Sequence, residues 1–322
     1  MKRVAGLHHV TAIAGPAQEN LDFYAGVLGM MLVKKSVNQD DPGTYHLFYA
    51  DAEGHPGTDL TFFPWYQAAP SAPGHGLANE VALAIPEGSL PWWGPRLDRY
   101  GVPIGAVETR FGERAIRLTD PHGLEVALVE AAAAPARSFT PSESSPVPAA
   151  HQIRGLHGAR MREHTLAPTA AFLTEVMGFR HVGTEGEWNR YAVADGSGAF
   201  VDIAEAPAVP RGFWGVGSIH HLAWRVDDEA HQLALRERIE AAARRPTPVI
   251  DRFWFKSVYF TEPGGVLFEL ATDGPGFSVD EDPAHLGEVL VLPPWLEAER
   301  KRIEAALPAL APPHPTPATR GA

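Results

Sequence analysis

The sequence predicts an α+β protein made of four similar units, each consisting of a strand, a helix and further strands. Three observations support this fold class. A sequence pattern recurs along the chain with a period of about 70 residues, as in proteins built from structural repeats. Each unit contains apolar residues spaced three and four apart, which indicates an amphipathic helix. The units end in short runs of alternating apolar residues, which indicate strands.

The first unit shows the helical spacing clearly, because Leu21, Tyr24 and Leu28 would lie on one helix face. The turns Asp120–Gly123 and Glu262–Gly265 precede the final strands of units two and four, and this match is the strongest part of the repeat. The four opening strands are LHHVTAIA, NEVALAIP, GLHGARMRE and SIHHLAWRV. The four helices are QENLDFYAGVLGM, PWWGPRLDRYG, TAAFLTEVMGF and DEAHQLALRERIEAA.

Composition divides the chain into two domains and a C-terminal extension. Units one and two form an N-terminal domain, residues 1–134, and units three and four form a C-terminal domain, residues 152–275. Residues 135–151 between them are rich in Ala, Pro and Ser, which is typical of a linker. Residues 276–322 are expected to form an arm that ends in a helix, followed by a tail. The Pro-rich end of that tail, residues 311–322, is expected to be disordered.

Composition also excludes several classes of function. The chain has 322 residues, of which 45% are hydrophobic, so it can bury substantial cores. It has no cysteine, so disulfides, thiolate metal sites and Cys nucleophiles are excluded, and any transition metal must be held by N and O ligands. A net charge of −12 without a long basic block argues against nucleic acid as a partner. The absence of a long apolar run predicts no membrane partner and a cytoplasmic location.

Three residues in two distant stretches predict a metal site. His9 and His221 each end a His-His pair on the first strand of units one and four, and Glu269 lies in the apolar final strand of unit four. Two imidazoles and one carboxylate form the facial triad of non-haem Fe(II) oxygenases. An unpaired buried carboxylate would be costly, and a divalent cation would be a natural partner. The alternative is a pair of ordinary strand histidines with satisfied hydrogen bonds.

The other two units provide an internal control for the metal prediction. Unit two has Ala127 and unit three has Asp202 at the position of Glu269. Unit three has Gly158, next to His157, at the position of His221. These units have lost the His pair, so Asp202 is interpreted as structural and paired with a basic neighbour. Units one and four are therefore expected to meet around a metal, and units two and three to meet in a counterpart without one.

Several motifs resemble those of the vicinal oxygen chelate superfamily, which includes glyoxalase I and extradiol dioxygenases. The closer likeness is to hydroquinone ring-cleaving dioxygenases of the 2,6-dichlorohydroquinone 1,2-dioxygenase type, and it covers residues 5–297. The motifs are LHHVT, GVLGM, YHLFYAD-x-x-G-x-PGT, IHHLAW, DRFWFKSVYF, PGGVLFE and DEDPAHLG. The resemblance implies four βαβββ modules in two domains, forming open barrel-like sheets around a metal site. It also implies that His9, His221 and Glu269 hold Fe(II), with Mn(II) as the alternative metal.

The resemblance also directs attention to residues around the metal. It implies that His8 and His220 lie in its surroundings or near the substrate, although strand alternation alone would turn each away from its neighbour. Thr11 shares a strand face with His9 and would contact the same cavity. Tyr259 would orient a substrate hydroxyl or donate a proton, and Arg252 would stabilise anionic oxygen. The alternatives are an ordinary strand Thr, a packed Tyr, and an Arg paired with a surface acid.

The resemblance implies an enzyme that inserts O2 into a hydroquinone-type ring, with chlorinated rings and catechols as related substrates. A small aromatic substrate and O2 would then be its partners, and a homodimer is an expected assembly. A glyoxalase-like isomerase or lyase using Zn2+, Ni2+ or Mn2+ is a second hypothesis, because one fold supports many chemistries. A non-catalytic protein that binds an aromatic antibiotic or quinone is a third. Metal identity and O2 consumption discriminate between them.

Overall fold

The computed structural model describes residues 3–132 and 138–318, and these form two curled eight-stranded sheets with few helices. The predicted α+β class is therefore confirmed. The strands are β1 (Leu7–Ala14), β2 (Met31–Asn38), β3 (Asp41–Ala50), β4 (Asp59–Pro64), β5 (Leu77–Ile85), β6 (Glu108–Arg110), β7 (Glu113–Thr119), β8 (Glu125–Glu130), β9 (Gly155–Glu163), β10 (Arg180–Glu185), β11 (Trp188–Ala192), β12 (Phe200–Glu205), β13 (Ile219–Val226), β14 (Ile250–Asp251), β15 (Lys256–Thr261) and β16 (Leu267–Thr272).

Each sheet combines one module from each half of the chain. The first sheet has the order β14-β15-β16-β13-β1-β4-β3-β2 and joins modules one and four. The second sheet has the order β10-β11-β12-β9-β5-β8-β7-β6 and joins modules two and three. The expected meeting of modules one and four, and of two and three, is therefore seen. In both sheets the junction is an antiparallel pair of opening strands, β1 with β13 and β5 with β9.

The helices cover the sheets and bury their apolar faces in a shared core. They are α1 (Ala17–Leu21), α2 (Leu90–Arg99), α3 (Leu166–Phe172), α4 (Glu229–Ala241) and α5 (Arg300–Ala306). α1 and α3 each continue into a π-helical turn, Asp22–Val27 and Leu173–Met177, at the same place in modules one and three. None of the described helices is long and apolar enough to cross a membrane.

The segments outside the modules pack along module one. The Ser145 hydroxyl donates to the Gly29 carbonyl, which holds the segment after module two against the first helix-strand connection. The expected boundary at residues 134–135 lies outside the described residues. The prediction of disorder is wrong for residues 311–318, because the Ala311 amide donates to the Gln18 side chain and the Ala318 amide to the Arg99 carbonyl. Residues 319–322 of that tail also lie outside the described residues.

Candidate metal centre

Three neighbouring strands of the first sheet bring His9, His221 and Glu269 together. β13 carries His221 and lies between β1, which carries His9, and β16, which carries Glu269. The His9 and His221 Nε2 atoms are 3.1 Å apart. The Glu269 Oε2 atom is 3.2 Å from Nε2 of His9 and 2.9 Å from Nε2 of His221. We call these three residues the metal centre.

The three ligand atoms fit a single metal ion. Ligands about 2.1 Å from one ion, at near-right angles, lie about 3 Å from each other, which is the spacing found here. All three side chains are buried, and the Glu269 Oε2 atom makes no geometrically good hydrogen bond. Among the described residues, this is the group of three acidic or imidazole side chains that could hold a metal ion. A divalent cation would satisfy the buried oxygen and both nitrogens at once.

The neighbouring histidines orient the two imidazoles. The Nδ1 atoms of His8 and His9 are 2.9 Å apart, and those of His220 and His221 are 2.8 Å apart. One nitrogen in each contact must donate and the other accept. If His9 and His221 donate from Nδ1, their Nε2 lone pairs point at the common centre, as metal ligation requires.

The protonation states of the metal centre also suit a cation. Burial acts to raise the pKa of Glu269, but attraction to His9 and the close contacts with the His221 and His9 nitrogens outweigh it, so the pKa lies well below its ordinary value. Burial lowers the pKa of His221 more than Glu269 raises it. A carboxylate beside a neutral imidazole is the form that binds a metal.

Both histidines of the first pair are buried, because every residue of β1 is buried, on both faces of the strand. Simple alternation would turn His8 to the face opposite His9. The pairing of β1 with β13 is also irregular, with register shifts between Leu7 and His9 and between Thr11 and Ala12. Burial, followed by the effect of His9, lowers the pKa of His8 well below its ordinary value. His8 therefore lies behind His9 as a hydrogen-bond partner and outside the cavity wall.

His220 does reach the cavity, as the resemblance implies. Its ring stacks on Trp214, with centroids 4.7 Å apart. Burial, followed by the effect of His221, lowers its pKa to about 3. A neutral imidazole is therefore the state at the cavity edge.

Tyr259 and Arg252 lie on the side of the metal centre formed by β14 and β15. Tyr259 pairs directly with Glu269 across β15 and β16, and its ring centroid is 5.6 Å from that of His221. Burial, followed by the charge of Glu269, raises its pKa above the ordinary value, so it remains a phenol. The Arg252 guanidinium is 5.5 Å from the Tyr259 ring centroid and lines the cavity. Its acidic partner is Asp40, an exposed residue of the turn between β2 and β3.

Thr11 is buried, but its hydroxyl bonds to the Thr61 hydroxyl at 2.7 Å and it is not part of the cavity wall. Thr61 in turn contacts Nε2 of His46 at 2.9 Å. By register, Thr61 occupies in module one the place that Glu269 occupies in module four. In place of the carboxylate, module one thus has a hydrogen-bonded series of the Thr11 and Thr61 hydroxyls that ends at His46.

The sequence analysis missed His46 and Ser257. Both lie on the strand next to the acid position, and they hold equivalent places in modules one and four. The Ser257 hydroxyl donates to Glu269 Oε1 at 2.5 Å and so fixes the carboxylate orientation. Strand alternation places Ser257 two residues from Tyr259 on the same face, and this signal could have found it.

The metal centre lies at the bottom of a cavity of about 400 Å³. Aromatic side chains form much of its wall, which suits a flat ring. The polar residues of the wall lie mainly at the β2–β3 turn and near the metal centre. The wall residues are His9, Asn38, Gln39, Asp40, Asp41, His46, Phe48, Phe63, Trp65, His220, His221, Arg252, Trp254, Phe255, Tyr259 and Leu267.

The second sheet has a counterpart site that is filled by protein. Register places Glu80, Gly158 and Asp202 where the first sheet has His9, His221 and Glu269. Asp202 accepts two hydrogen bonds from Arg190, at 2.8 and 3.1 Å, as the interpretation of Asp202 as a structural residue predicts. Glu80 accepts from both terminal nitrogens of Arg110. Only about 10 Å³ of space remains there.

Comparison with known proteins places the chain in a family. The model of the Glyoxalase/Bleomycin resistance protein/Dioxygenase superfamily matches residues 6–128 and 156–270, and the chain belongs to this superfamily. It is 43% identical over 306 residues to the "Putative ring-cleaving dioxygenase MhqO" of Bacillus subtilis, covering 95% of this chain and 96% of that protein.

Two further relatives support the assignment. The chain is 33% identical to a chlorohydroquinone/hydroquinone 1,2-dioxygenase of Sphingobium indicum, over 94% of this chain and 95% of the relative. A crystal structure titled "putative dioxygenase" from Bacillus subtilis superposes with a TM-score of 0.90 at 41% identity, covering 97% of this chain and 99% of the other. The resemblance seen in the sequence motifs is confirmed.

Proposed function

We propose that the protein is an Fe(II)-dependent ring-cleaving dioxygenase that inserts O2 into a hydroquinone-type aromatic, with chlorinated hydroquinones and catechols as candidate substrates. One observation carries the proposal. His9, His221 and Glu269 form a two-imidazole, one-carboxylate face with about 3 Å edges, at the bottom of an aromatic-walled cavity. Relatives named as ring-cleaving and hydroquinone dioxygenases support this chemistry.

The donor set favours iron, with manganese as the alternative. Three protein ligands on one face leave other positions open, which suits O2 chemistry better than a closed structural site. When bound, ferrous iron supplies open coordination positions and the redox chemistry that activates O2 towards an aromatic ring.

The cavity residues would hold and orient the ring. Phe255 lies 5.3 Å from the His9 ring, between centroids, and so limits how a flat substrate can stand over the metal centre. Phe48 and Phe63 pack on His46, with ring centroids 3.9 and 4.4 Å from that of the imidazole. Such walls exclude water and confine a ring to few orientations.

Tyr259 and Arg252 would handle charge and protons on the substrate. The Tyr259 hydroxyl can donate a hydrogen bond to a substrate oxygen, because the phenol is held protonated. The Arg252 guanidinium beside it would stabilise the phenolate form of a substrate hydroxyl. His220, neutral at the cavity edge, can accept a hydrogen bond from that hydroxyl.

The test is O2 consumption by anaerobically purified, Fe(II)-loaded protein. Hydroquinone, chlorohydroquinones and catechols are supplied one at a time, while an oxygen electrode and an absorbance spectrum are recorded. We expect one O2 consumed per ring and a new absorbance from a ring-opened product. Parallel samples loaded with Mn(II) or Zn(II) identify the competent metal, and Zn(II) should be inactive.

No O2 uptake with any ring, in protein that holds one divalent ion tightly, would contradict the proposal. That result would favour the glyoxalase-like isomerase or lyase. Tight binding of aromatics by protein that holds no metal at all would favour a non-catalytic binder.

A further inference from the structure

The charged groups of the cavity are unequal in number. Of the described residues that line it, Arg252 is the sole Lys or Arg, whereas Asp40 and Asp41 both lie in the wall. The charge of Glu269 would be neutralised by the divalent ion that the proposed function places at the metal centre. Away from that ion, an anionic substituent on a ring would meet one cationic side chain and two carboxylates.

Asp40 is paired with that cation, Arg252. Its Oδ1 and Oδ2 atoms accept from the two terminal nitrogens of Arg252 at 3.2 and 2.8 Å. This two-point geometry is the one a carboxylate uses to bind a guanidinium, so the preferred carboxylate site of Arg252 is filled.

The pair spans the mouth of the cavity. The Arg252 side chain is 14% exposed and the Asp40 side chain is 74% exposed, so the acid reaches in from the rim to a cation on the wall. A second contact holds the same turn in place, because the Gln39 amide donates to the Arg252 carbonyl at 2.9 Å. The turn between β2 and β3 is thus fixed against the β14–β15 segment of module four.

The neighbouring acid is engaged differently. Asp41 accepts from the Trp65 indole at 3.1 Å and from the Thr44 hydroxyl at 2.9 Å, and it has no contact with Arg252 among the described hydrogen bonds and ion pairs. Asp41 is therefore a matched control: it has the same charge, lies in the same wall and is adjacent in sequence, but it does not block the guanidinium.

We propose that Asp40 is a specificity-determining residue that occupies the carboxylate-binding edge of Arg252 and thereby restricts the cavity to aromatic rings without a carboxylate substituent. This inference rests on the proposed function, because it assumes that the cavity binds a dihydroxylated ring. A neutral hydroxyl does not need the two-point edge, since a guanidinium has five N–H donors. A ring carboxylate does need it, and it would have to displace Asp40.

The test compares two ligands that differ in charge and share a shape, 2,5-dihydroxybenzoate and 2,5-dihydroxybenzamide. Their affinities are measured by anaerobic calorimetry on metal-loaded protein, with hydroquinone as a reference ring. The proteins are wild type, Asp40→Asn, Asp41→Asn and the double variant Asp40→Asn/Arg252→Gln. Asp40 is mostly exposed, so its Asn variant should fold normally.

We expect wild type to prefer the benzamide. Asp40→Asn should shift the benzoate-to-benzamide affinity ratio about tenfold towards the benzoate, the order expected for one charge at a partly solvated site, and salt should reduce the shift. Hydroquinone affinity should change less than about threefold, because a single ring oxygen can use an N–H donor of Arg252 outside the two-point edge that Asp40 occupies. Asp41→Asn should leave the ratio nearly unchanged, and the double variant should lose the gain.

Three results would overturn the proposal. An unchanged ratio in Asp40→Asn would show that the edge is not blocked by Asp40, and an equal shift in Asp41→Asn would show a general charge effect. Failure of every protein to bind any of the rings would remove the cavity as their site. Absence of O2 uptake with normal ring binding would count against the dioxygenase alone, because the affinity ratio does not depend on turnover.

Discussion

The two sheets share one topology but stabilise a buried carboxylate in different ways. In the first sheet, Glu269 faces His9 and His221 and lacks a cationic side chain as partner within the described residues. In the second sheet, Asp202 at the same position is bound by Arg190. The first arrangement leaves a buried carboxylate oxygen that a divalent cation would satisfy, whereas the second carries its cation in the chain.

The second sheet also removes the space that a metal and a substrate would need. A Cβ atom on Gly158 would come within 2.4 Å of the Phe200 ring, so this ring occupies the place of the second histidine. The Arg190 guanidinium lies 3.8 Å from the Phe200 ring centroid and completes the filling. Duplicated modules can thus keep their fold while one pair of them loses its site.

A third buried acid lies where modules three and four meet, and it is stabilised by a proton. Glu163 at the end of β9 is fully buried near Gly264. Burial, followed by the charge of Glu262, raises the pKa of Glu163 to about 9. Glu262 itself accepts from the Thr169 hydroxyl at 2.7 Å and from two backbone amides. A buried carboxylate is thus stabilised by an arginine at Asp202 and by a proton at Glu163, and a metal ion would stabilise Glu269.

The largest predicted effect distinguishes Glu269, which would bind a metal ion, from Asp202, which binds an arginine. Glu269→Ala should weaken divalent metal binding by at least about 100-fold, because it removes one of three ligands. Metal should raise the unfolding temperature of wild type through binding to the folded state, and it should raise that of Glu269→Ala far less. Chelator competition and thermal unfolding with and without Fe(II) or Mn(II) measure both effects.

The control for this prediction is Asp202→Ala, which should keep wild-type metal affinity. Equal metal binding by Glu269→Ala and wild type would contradict the ligand assignment.

The next prediction tests the stabilisation of Asp202 by Arg190. Asp202→Ala should lower the free energy of unfolding by about 3 kcal/mol, because Arg190 would remain buried without its main partner. This decrease in the free energy of unfolding should be at the low end of the range for breaking a buried ion pair, since Glu113 lies 3.5 Å from Arg190 and can partly replace Asp202. Urea unfolding of metal-free protein measures it.

In the same metal-free protein, Glu269→Ala should not be destabilising to this extent, because it leaves neutral imidazoles rather than a buried guanidinium. Equal destabilisation by the two variants would show that the sheets do not differ as described.

A pH-dependent effect tests whether a proton stabilises Glu163. The pKa of Glu163 is raised from 4.5 to about 9 in the folded protein, so the folded state holds a proton that the unfolded state has lost between these values. The stability due to this group is therefore fully present below about pH 4.5 and declines as pH rises towards 9. Its slope is at most about 1.4 kcal/mol per pH unit.

Glu163→Gln cannot ionise, so its stability should fall less than that of wild type between pH 6 and 9, an interval of about 3 units over which the linkage acts. Urea midpoints measured across this range for both proteins provide the comparison. Parallel pH profiles would mean that Glu163 is already ionised in the folded protein.

The sequence by itself determined the module pattern and the three positions of the candidate metal centre. The repeat aligned His221 with Gly158 and Glu269 with Asp202, so a candidate site in the first sheet and its absence from the second could be predicted. The reason is local: position in a module and alternation along a strand decide which side chains face inward. The partnership of modules one and four followed, because ligands on both must share one ion.

Tertiary structure alone decided which side chains surround the three positions and how these side chains pair with each other. The Asp40–Arg252 pair joins positions 212 residues apart, and it depends on the conformation of one turn and on how far the sheet curls. The burial of both His8 and His9 depends on the covering of both faces of β1 by other parts of the chain. His46 reaches the site because β3 packs beside β4 in the closed sheet. These contacts arise from strand register and sheet curvature, which are properties of the whole sheet and are set by the packing of distant segments.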